Sequence, residues 1–422
     1  MIQGLYRHAT ALLEPLAPLL IERRLRHGKE DPLRREERLG RSTVARPEGP
    51  LLWIHAASVG ESLSVLPLAE RLALTHGTGV LFTTMTTSAA AALAPRQPPG
   101  SIHQYIPFDT PGAVTRFLDR WRPDAALWVE SELWPNLLLE AQRRHIPTAL
   151  VNGRLSDRSF ARWNRLPAFS RKLVGGFTTI LVPGDRQGRQ FTALGAARVV
   201  VTGDLKATTG SPRADPEALA RLRDAVAGRR VWLAVSTHEG EERLACDIHL
   251  DLAAKIDGLL TVIVPRHPAR ADSIAEEAAA RGLTIARRSR ADMPDSSTDI
   301  FLGDSIGEMG LYLGLGDPVF IGKSMLEHGG HNPREAAWLG KATVFGPHMQ
   351  NFTDIARRLV AAGGAIEVAD AASLRRHVAG LLGDDPACRA MGERARTLVE
   401  GDAAGVLDRA FEALQPLFDA GP

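Results

Sequence analysis

The sequence has little cysteine and no arrangement of side chains that is typical of a metal site. Cys246 and Cys388 are the two cysteines among 422 residues, and their wide spacing indicates neither a disulfide framework nor a thiolate site. The thirteen histidines are dispersed, and no D-x-D triplet occurs. His328 and His331 are three residues apart, but glycines separate them and no third ligand is close. We therefore expect no bound metal and a reducing compartment.

The sequence also lacks the common phosphate-binding signatures and any excess of one charge. It has neither a Walker loop nor a G-x-G-x-x-G fingerprint, which argues against a kinase or a dehydrogenase. The 51 basic residues are balanced by 49 acidic ones, giving a net charge of +2. Binding of nucleic acid by the whole surface is not expected at this balance, so any basic surface must be local.

No apolar run is long enough to span a bilayer, which takes about 20 residues. The longest candidate, residues 12–21, is interrupted by Glu14, Pro15 and Pro18, and the N-terminus lacks the pattern of a secretory signal. A basic stretch follows, comprising Arg23, Arg24, Arg26, Lys29, Arg34, Arg35, Arg38 and Arg41. Residues 1–45 are predicted to form an interfacial helix whose basic residues meet anionic head groups. The alternative is a solvated helix, because glutamates interleave with the arginines and can pair with them.

From residue 51 onward, short β-rich segments alternate with helical patterns, as in a parallel α/β fold. The predicted strands are 51–55, 80–84, 125–129, 148–151, 179–182 and 199–202, then 231–235, 259–264, 299–302, 318–321 and 342–345. Two series predict two Rossmann-like domains, 46–206 and 207–422, with a glycine- and proline-containing linker at 206–216. The end of the chain, 372–418, is predicted to be helical, and whether its last helices cross back to the first domain stays open. Ligands of such sheets bind beyond the carboxyl ends of the strands, so function is expected in those loops and in a cleft between the domains.

Four loops of the first domain carry candidate chemistry. Ser58, Gly60 and Glu61 follow the first strand, and Glu61 is either a base or an acid that satisfies N–H groups of the helix start. Glu130 and Glu132 share a second loop, where two carboxylates would repel each other without a cationic partner. The alternative is that one of them, Glu132 rather than Glu130, caps the helix that begins near Pro135. Arg154 and Lys206 follow later strands and can hold a carboxylate or phosphate, or form surface ion pairs.

Four loops of the second domain suit a nucleotide. Hydroxyl groups, helix starts, fixed cations and glycines recur after successive strands, and such groups bind phosphate, base and ribose. The candidates are Ser236, Thr237, Pro265, Arg266, His267, Ile306, Gly307, Glu308, Asn332, Pro333, Arg334 and Glu335. Each loop alone is explained by capping, but four on one sheet are harder to explain in that way.

Taken together, these motifs resemble those of the bacterial 3-deoxy-D-manno-octulosonic acid (Kdo) transferases that act on lipid A, along nearly the whole chain. The matching segments are 58–61, 130–136, 152–156, 202–206, 236–242, 264–268 and 329–333. The N-terminal helix with its basic continuation also looks like the membrane-associating segment of that family. The resemblance implies a GT-B fold and an inverting transfer of Kdo from CMP-Kdo to lipid IVA, with no cofactor and no metal, at the cytoplasmic face of the inner membrane.

The resemblance also assigns roles to residues. Glu61 looks like the general base, and Glu130 and Lys206 match the proposed transition-state stabilisers. The donor CMP matches Pro265 and Arg266, residues 306–308 and residues 332–335. Two positions depart from the family pattern, because Lys323 replaces a glycine and Gly153 replaces an alanine.

Two other functions are consistent with the same motifs. One is a GT-B transferase that uses a nucleoside diphosphate sugar, and the other is a non-catalytic protein that binds a nucleotide sugar.

Overall fold

The computed structural model describes residues 2–326 and 329–418, and the chain forms two compact units. The first unit runs to Thr209 and takes up the chain again from Ala403, and the second unit is Gly210–Asp402. His328, considered above as a metal ligand, lies outside the described residues. A parallel sheet organises each unit, as the two series of strands predicted.

The first unit contains a sheet of seven strands among its described residues. They are β1 (Leu51–His55), β2 (Gly79–Thr84), β3 (Ile102–Tyr105), β4 (Ala125–Val129), β5 (Thr148–Val151), β6 (Thr179–Val182) and β7 (Val199–Val201). All neighbours are parallel, and the order is β3-β2-β1-β4-β5-β6-β7. Side chains of the strands alternate between two buried layers, with Trp53 and Trp128 in one layer and Leu52 and Ile54 in the other. Both faces of the sheet are therefore covered, as in doubly wound folds.

The second unit repeats this plan, again with seven strands in its described part. They are β8 (Arg230–Thr237), β9 (Leu259–Pro265), β10 (Ile285–Arg287), β11 (Ile300–Leu302), β12 (Val319–Ile321), β13 (Thr343–Phe345) and β14 (Ala365–Glu367). The order is β10-β11-β9-β8-β12-β13-β14, with all pairs parallel.

The helices lie between successive strands and at both ends of the chain. Those before β8 are α1 (Ile2–Leu13), α2 (Ala17–Arg26), α3 (Val59–His76), α4 (Thr87–Leu93), α5 (Pro111–Trp121), α6 (Pro135–Arg143), α7 (Asp157–Asn164), α8 (Pro167–Val174), α9 (Asp185–Ala193) and α10 (Pro216–Ala225). The later ones are α11 (Glu241–Ala253), α12 (Ala271–Ala279), α13 (Met309–Leu313), α14 (Arg334–Trp338), α15 (Thr353–Ala361), α16 (Ala371–Gly383) and α17 (Asp385–Leu414).

Every strand predicted from the sequence is present, but β3, β10 and β14 were missed. All three lie at an edge of their sheet. An edge strand has one neighbour and is short or polar, so its apolar signal is weak. The missed strand β3, for example, reads Ile-His-Gln-Tyr.

The end of α17 belongs to the first unit, where Val406, Ala410 and Leu414 are buried beside Leu52 and Val65. The predicted linker also begins inside this unit. Its first residues lie in a 3₁₀ helix, Leu205–Thr209, in which Leu205 and Ala207 are buried.

Exposed leucines recur along α1, α2 and the 3₁₀ turn, Glu14–Leu16, that joins them. Leu5 is 72% exposed, Leu12 79%, Leu16 53% and Leu19 68%. No helix within the described ranges is both long and apolar enough to cross a membrane.

The prediction that Arg38 belongs to an exposed basic surface is wrong. Arg38 is buried, and its guanidinium donates to Glu30 at 2.9 Å and to the Ile106 carbonyl at 3.0 Å. A buried guanidinium needs such partners, so Arg38 braces the fold.

Candidate functional site

In each sheet, the strand order reverses at one point, and parallel α/β sheets bind ligands beyond the carboxyl ends of the strands there. In the first unit this switch point lies between β1 and β4. The chain after β1 leads to Glu61, and the chain after β4 begins with Glu130. The topology therefore brings two predicted site residues to the same edge.

Glu61 lies in the first turn of α3 and is almost completely buried. Its Oε2 accepts a hydrogen bond from the Ala57 amide at 2.8 Å, and its Oε1 accepts one from the Ser58 hydroxyl at 2.7 Å. Burial raises the pKa of Glu61, the two hydrogen bonds lower it, and the charge of Glu130 raises it further. The cap of α3 is Ser58, whose hydroxyl oxygen accepts from the Glu61 amide, so the Glu61 carboxylate binds the turn before the helix rather than N–H groups of the helix itself. Each carboxylate oxygen still has a second lone pair, so the group can also accept a proton from a ligand.

Glu130 and Lys206 form an ion pair beside Glu61. The Lys206 Nζ lies 2.6 Å from Glu130 Oε1, and the Asn152 amide donates to the same oxygen at 3.4 Å. Asn152 Oδ1 accepts from the Leu205 amide at 3.1 Å, which fixes the turn that carries Lys206. Glu130 and Asn152 both have positive φ, at 61° and 57°. Sequence reasoning quoted Asn152 only within a motif and missed its bridging position.

Gly60 lies next to this ion pair, since a Cβ on Gly60 would come 4.0 Å from Lys206 Cε. Glu132 accepts from the Trp134 indole at 2.7 Å rather than from a helix amide. Burial raises the pKa of Glu132, and the charges of Glu61 and Glu130 raise it further. The carboxyl groups of Glu61, Glu130 and Glu132 and the ammonium group of Lys206 therefore interact electrostatically in this unit.

Arg154 pairs with Asp204 at 2.6 Å, and Asp204 also accepts from the Lys206 amide at 3.0 Å. Arg154 thus braces the turn before Lys206, which is the ion-pair alternative considered from the sequence. At Gly153, a Cβ would lie 3.0 Å from Leu150 and from Phe191, so an alanine there would require these side chains to shift.

The switch point of the second unit lies between β8 and β12. Glu241, at the start of α11, is 1% exposed and joins the two loops. Its carboxylate accepts from the amides of His238 at 3.0 Å, Lys323 at 2.6 Å, Ser324 at 3.0 Å and Met325 at 3.2 Å. Sequence reasoning missed this residue, because its partners follow a distant strand. Lys323 has φ 57°, a backbone conformation that favours glycine.

Histidines and cations gather at this switch point. His238 Nε2 lies 3.0 Å from His331 Nε2, and the rings of His238 and His267 are 5.5 Å apart. Burial lowers the pKa of His331 to about 4, and the charges of His238, Arg266, Lys323 and His267 lower it further. Arg266, Lys323, His238, His267 and His331 form a cationic cluster, in which the arginine and the lysine offer positive charge and the imidazole rings offer N–H donors to an anion. Sequence reasoning named Arg266 and His267 as site residues, whereas it quoted His238 only within a motif and Lys323 only as a departure from the family pattern.

The other residues predicted to bind the CMP donor lie at the end of β8, at the end of β9 and at the start of α14. Thr237 is buried and donates to Glu242 at 3.0 Å, Ser236 has φ 55°, and Pro265 ends β9. Asn332 accepts from the Arg334 amide at 3.1 Å at the start of α14. Pro333 is the residue before that helix, and Glu335 is exposed in its first turn.

The loop 306–308 follows β11, which is separated from β8 by β9. Ile306 is 87% exposed, and Gly307 has φ 85°. Glu308 accepts two hydrogen bonds from Arg288, at 2.7 and 3.0 Å, and these bonds lower the pKa of its carboxyl group against its partial burial. Glu308 is therefore already neutralised by a neighbouring cation.

Over the described residues, no group of three or more His, Cys, Asp or Glu side chains is arranged to hold a metal ion. The positive charge of both sites comes from Lys206 and from the cationic cluster.

Residues 33–209 match the family model described as 3-deoxy-D-manno-octulosonic-acid transferase. The chain is similar to 3-deoxy-D-manno-octulosonic acid transferase of Bordetella pertussis, with 36% identity over 98% of this chain and 99% of that protein. The protein of the same name from Haemophilus influenzae is 32% identical over 90% of each chain.

Among solved structures, the chain is similar to a glycosyltransferase from Rickettsia africae. The TM-score is 0.60 at 13% identity, with 89% of this chain and 100% of that chain covered. This likeness concerns the fold alone. It agrees with the fold class predicted from the sequence, two Rossmann-like units of the GT-B type with an N-terminal helix.

Proposed function

Because the chain belongs to the 3-deoxy-D-manno-octulosonic acid (Kdo) transferase family, we propose that it transfers Kdo from CMP-Kdo to lipid IVA, with inversion at the anomeric carbon. Membership of this family makes the chain a glycosyltransferase. The proposal extends to the cytoplasmic face of the inner membrane, where the acceptor lipid would be met.

The observation that carries the proposal is the buried Glu61 carboxyl group beside the Glu130–Lys206 ion pair. A raised pKa suits a carboxylate to act as a general base near neutral pH. In the proposed reaction, Glu61 takes the proton of an acceptor hydroxyl. The freed oxygen forms a bond to the anomeric carbon of Kdo while the bond from that carbon to the phosphate oxygen breaks, and CMP leaves with the bonding electrons.

Lys206 is proposed to pair with an anionic group of the donor, such as the Kdo carboxylate. The Glu130 carboxylate, held by Lys206 and Asn152, would offset the positive charge of an oxocarbenium-like transition state. Both groups are fixed before the reaction, which is the condition under which electrostatic stabilisation is effective.

The second unit is proposed to bind CMP. The cationic cluster of His238, Arg266, His267, Lys323 and His331 offers donors to the phosphate without a metal ion. We therefore propose that transfer needs no cofactor. Activity retained in excess EDTA supports this part, and activity lost in EDTA and restored by a divalent ion would refute it.

The exposed leucines of α1 and α2 support a membrane-bound acceptor. An apolar helix face flanked by basic residues binds in the interface of a bilayer. We propose that this face enters the head-group region, with Arg23, Arg24 and Arg26 beside anionic lipid.

The deciding experiment offers the full-length protein CMP-Kdo or UDP-sugars together with lipid IVA and identifies products by mass spectrometry. Addition of Kdo is expected, and the product mass also gives the number of Kdo residues added. Addition of another sugar would establish the nucleoside diphosphate sugar alternative, and CMP binding without turnover would establish the non-catalytic one.

The Glu61→Gln variant tests the base. Loss of one general base lowers the rate by about 10²- to 10⁴-fold. The matched control is Glu70→Gln, an exposed position on the same helix, which should leave the rate unchanged. Full activity of Glu61→Gln would remove Glu61 from this role.

A further inference from the structure

Asp109 lies between β3 and α5, and its buried carboxylate accepts hydrogen bonds from the first turn of α6. Its Oδ2 accepts from the Tyr6 hydroxyl at 2.9 Å and from the Asn136 amide at 3.0 Å. Its Oδ1 accepts from the Leu137 amide at 2.8 Å. Burial raises the pKa of Asp109, and these three bonds to the charged form lower it. The carboxylate therefore depends on all three donors.

The two amides belong to the first turn of α6, whose free N–H groups carry a partial positive charge. The residue before this helix, Trp134, makes no side-chain cap, and Pro135 occupies the first position. Asp109 thus caps α6 from a different part of the chain.

The N-terminal helix α1 reaches the same point. Besides the Tyr6 hydroxyl, its Thr10 hydroxyl accepts from the Asn136 side-chain amide at 2.9 Å. The same side-chain amide of Asn136 also donates to the backbone carbonyl of Asp109 at 2.5 Å. Two residues of α1 and one of the β3–α5 connection therefore hold the start of α6.

The start of α6 is also the end of the loop that carries Glu130 and Glu132. Trp134, the last residue of this loop, donates its indole N–H to Glu132 at 2.7 Å. The charge of Glu132 interacts in turn with those of Glu61 and Glu130. A displacement of the α6 start would move this loop, because no residue separates the two.

We propose that Tyr6 and Asp109 are positioning residues, which fix the start of α6 to α1 and so hold the loop 130–134 in its reactive arrangement. This inference rests on the proposed function, in which that loop carries Glu130. The N-terminal helix is then part of the catalytic architecture in addition to any contact with lipid.

The test uses the full-length Tyr6→Phe variant, which removes one hydroxyl and leaves both amide bonds of Asp109 in place. Two measurements are made: the kinetics of Kdo transfer, and amide hydrogen exchange of peptides covering 130–140. We expect kcat to fall about two- to tenfold, the size of one hydrogen bond, with an unchanged KM for CMP-Kdo. Exchange should rise in 130–140 and stay unchanged in 51–55. Asp109→Asn should lower kcat and raise exchange in 130–140 by more than Tyr6→Phe does.

The matched control is Lys172→Met. Lys172 donates to Gln3 of α1 at 2.6 Å, so this variant removes a different contact of the same helix. It should leave kcat and the exchange of 130–140 unchanged. Unchanged exchange in Tyr6→Phe would overturn the proposal, and so would an equal effect of Lys172→Met. Hydrogen exchange does not depend on substrate, so a wild-type protein inactive toward CMP-Kdo would refute the proposed function separately.

Discussion

The Lys206 ammonium and the Glu130 carboxylate lie 2.6 Å apart although they follow different strands, β7 and β4. Lys206 is half-exposed, whereas Glu130 is largely buried and also bonded by Asn152. The pair thus combines one accessible charge with one fixed charge, which is suited to a charged ligand.

This relationship predicts coupled losses of activity. Lys206→Met should lower kcat by about 10²- to 10³-fold, the effect of removing one preorganised donor from an active site. Glu130→Gln should lower kcat less. The double variant should be no worse than Lys206→Met, because residues in direct contact are not additive. Steady-state kinetics of the three proteins check this, with the exposed Lys255→Met as control; additive losses would contradict a joint role.

The pH dependence of kcat/KM should reveal the same group of charges. The base must be deprotonated, so activity falls as the pH drops through the pKa of Glu61, which lies above that of an ordinary glutamate. The Glu130 charge raises this pKa and the Lys206 charge lowers it. The pH at which kcat/KM falls on the acidic side should therefore be lower in Glu130→Gln and higher in Lys206→Met. Shifts of the same sign in both variants would contradict this arrangement.

Donor binding should depend on Arg266. Arg266→Gln removes one charge from the cationic cluster, and a hydrogen bond to a charged group contributes about 1.5 to 3 kcal/mol. The Kd of CMP, measured by calorimetry, should rise by about 10- to 100-fold. Arg375→Gln is the control, because its guanidinium pairs with Asp251 on the surface. Equal affinity of Arg266→Gln and wild type would place CMP elsewhere.

Binding to lipid should depend on the exposed leucines of α1 and its continuation. Replacing Leu12, Leu16 and Leu19 by serine removes apolar contacts of about 1.5 kcal/mol each on full burial. Partition onto vesicles with anionic lipid should fall by at least about tenfold in sedimentation assays. Leu74→Ser, 79% exposed on α3, is the control. Undiminished binding of the triple variant would exclude this face as the membrane contact.

Much of this architecture could be predicted from the sequence, because apolar strands and the polar loops after them are local features. The expectation that Glu130 and Glu132 need a cationic partner is met by Lys206. What could not be predicted depends on distant partners. Glu241 stood out only as part of the segment 236–242, yet its carboxylate joins the loops after β8 and β12. Asp109 gave no signal at all, since the helix that it caps begins far along the chain.

The return of the chain to the first unit at Ala403 has a consequence for biosynthesis. Val406, Ala410, Ala413 and Leu414 fill a core layer whose other members, such as Leu52, leave the ribosome early. Folding during translation would normally complete an N-terminal domain first. Here that layer stays open until the residues from Ala403 onward have been made. A nascent or terminated chain that lacks these residues would expose this apolar surface to chaperones and proteases, so the first unit cannot close its core until they have been synthesised.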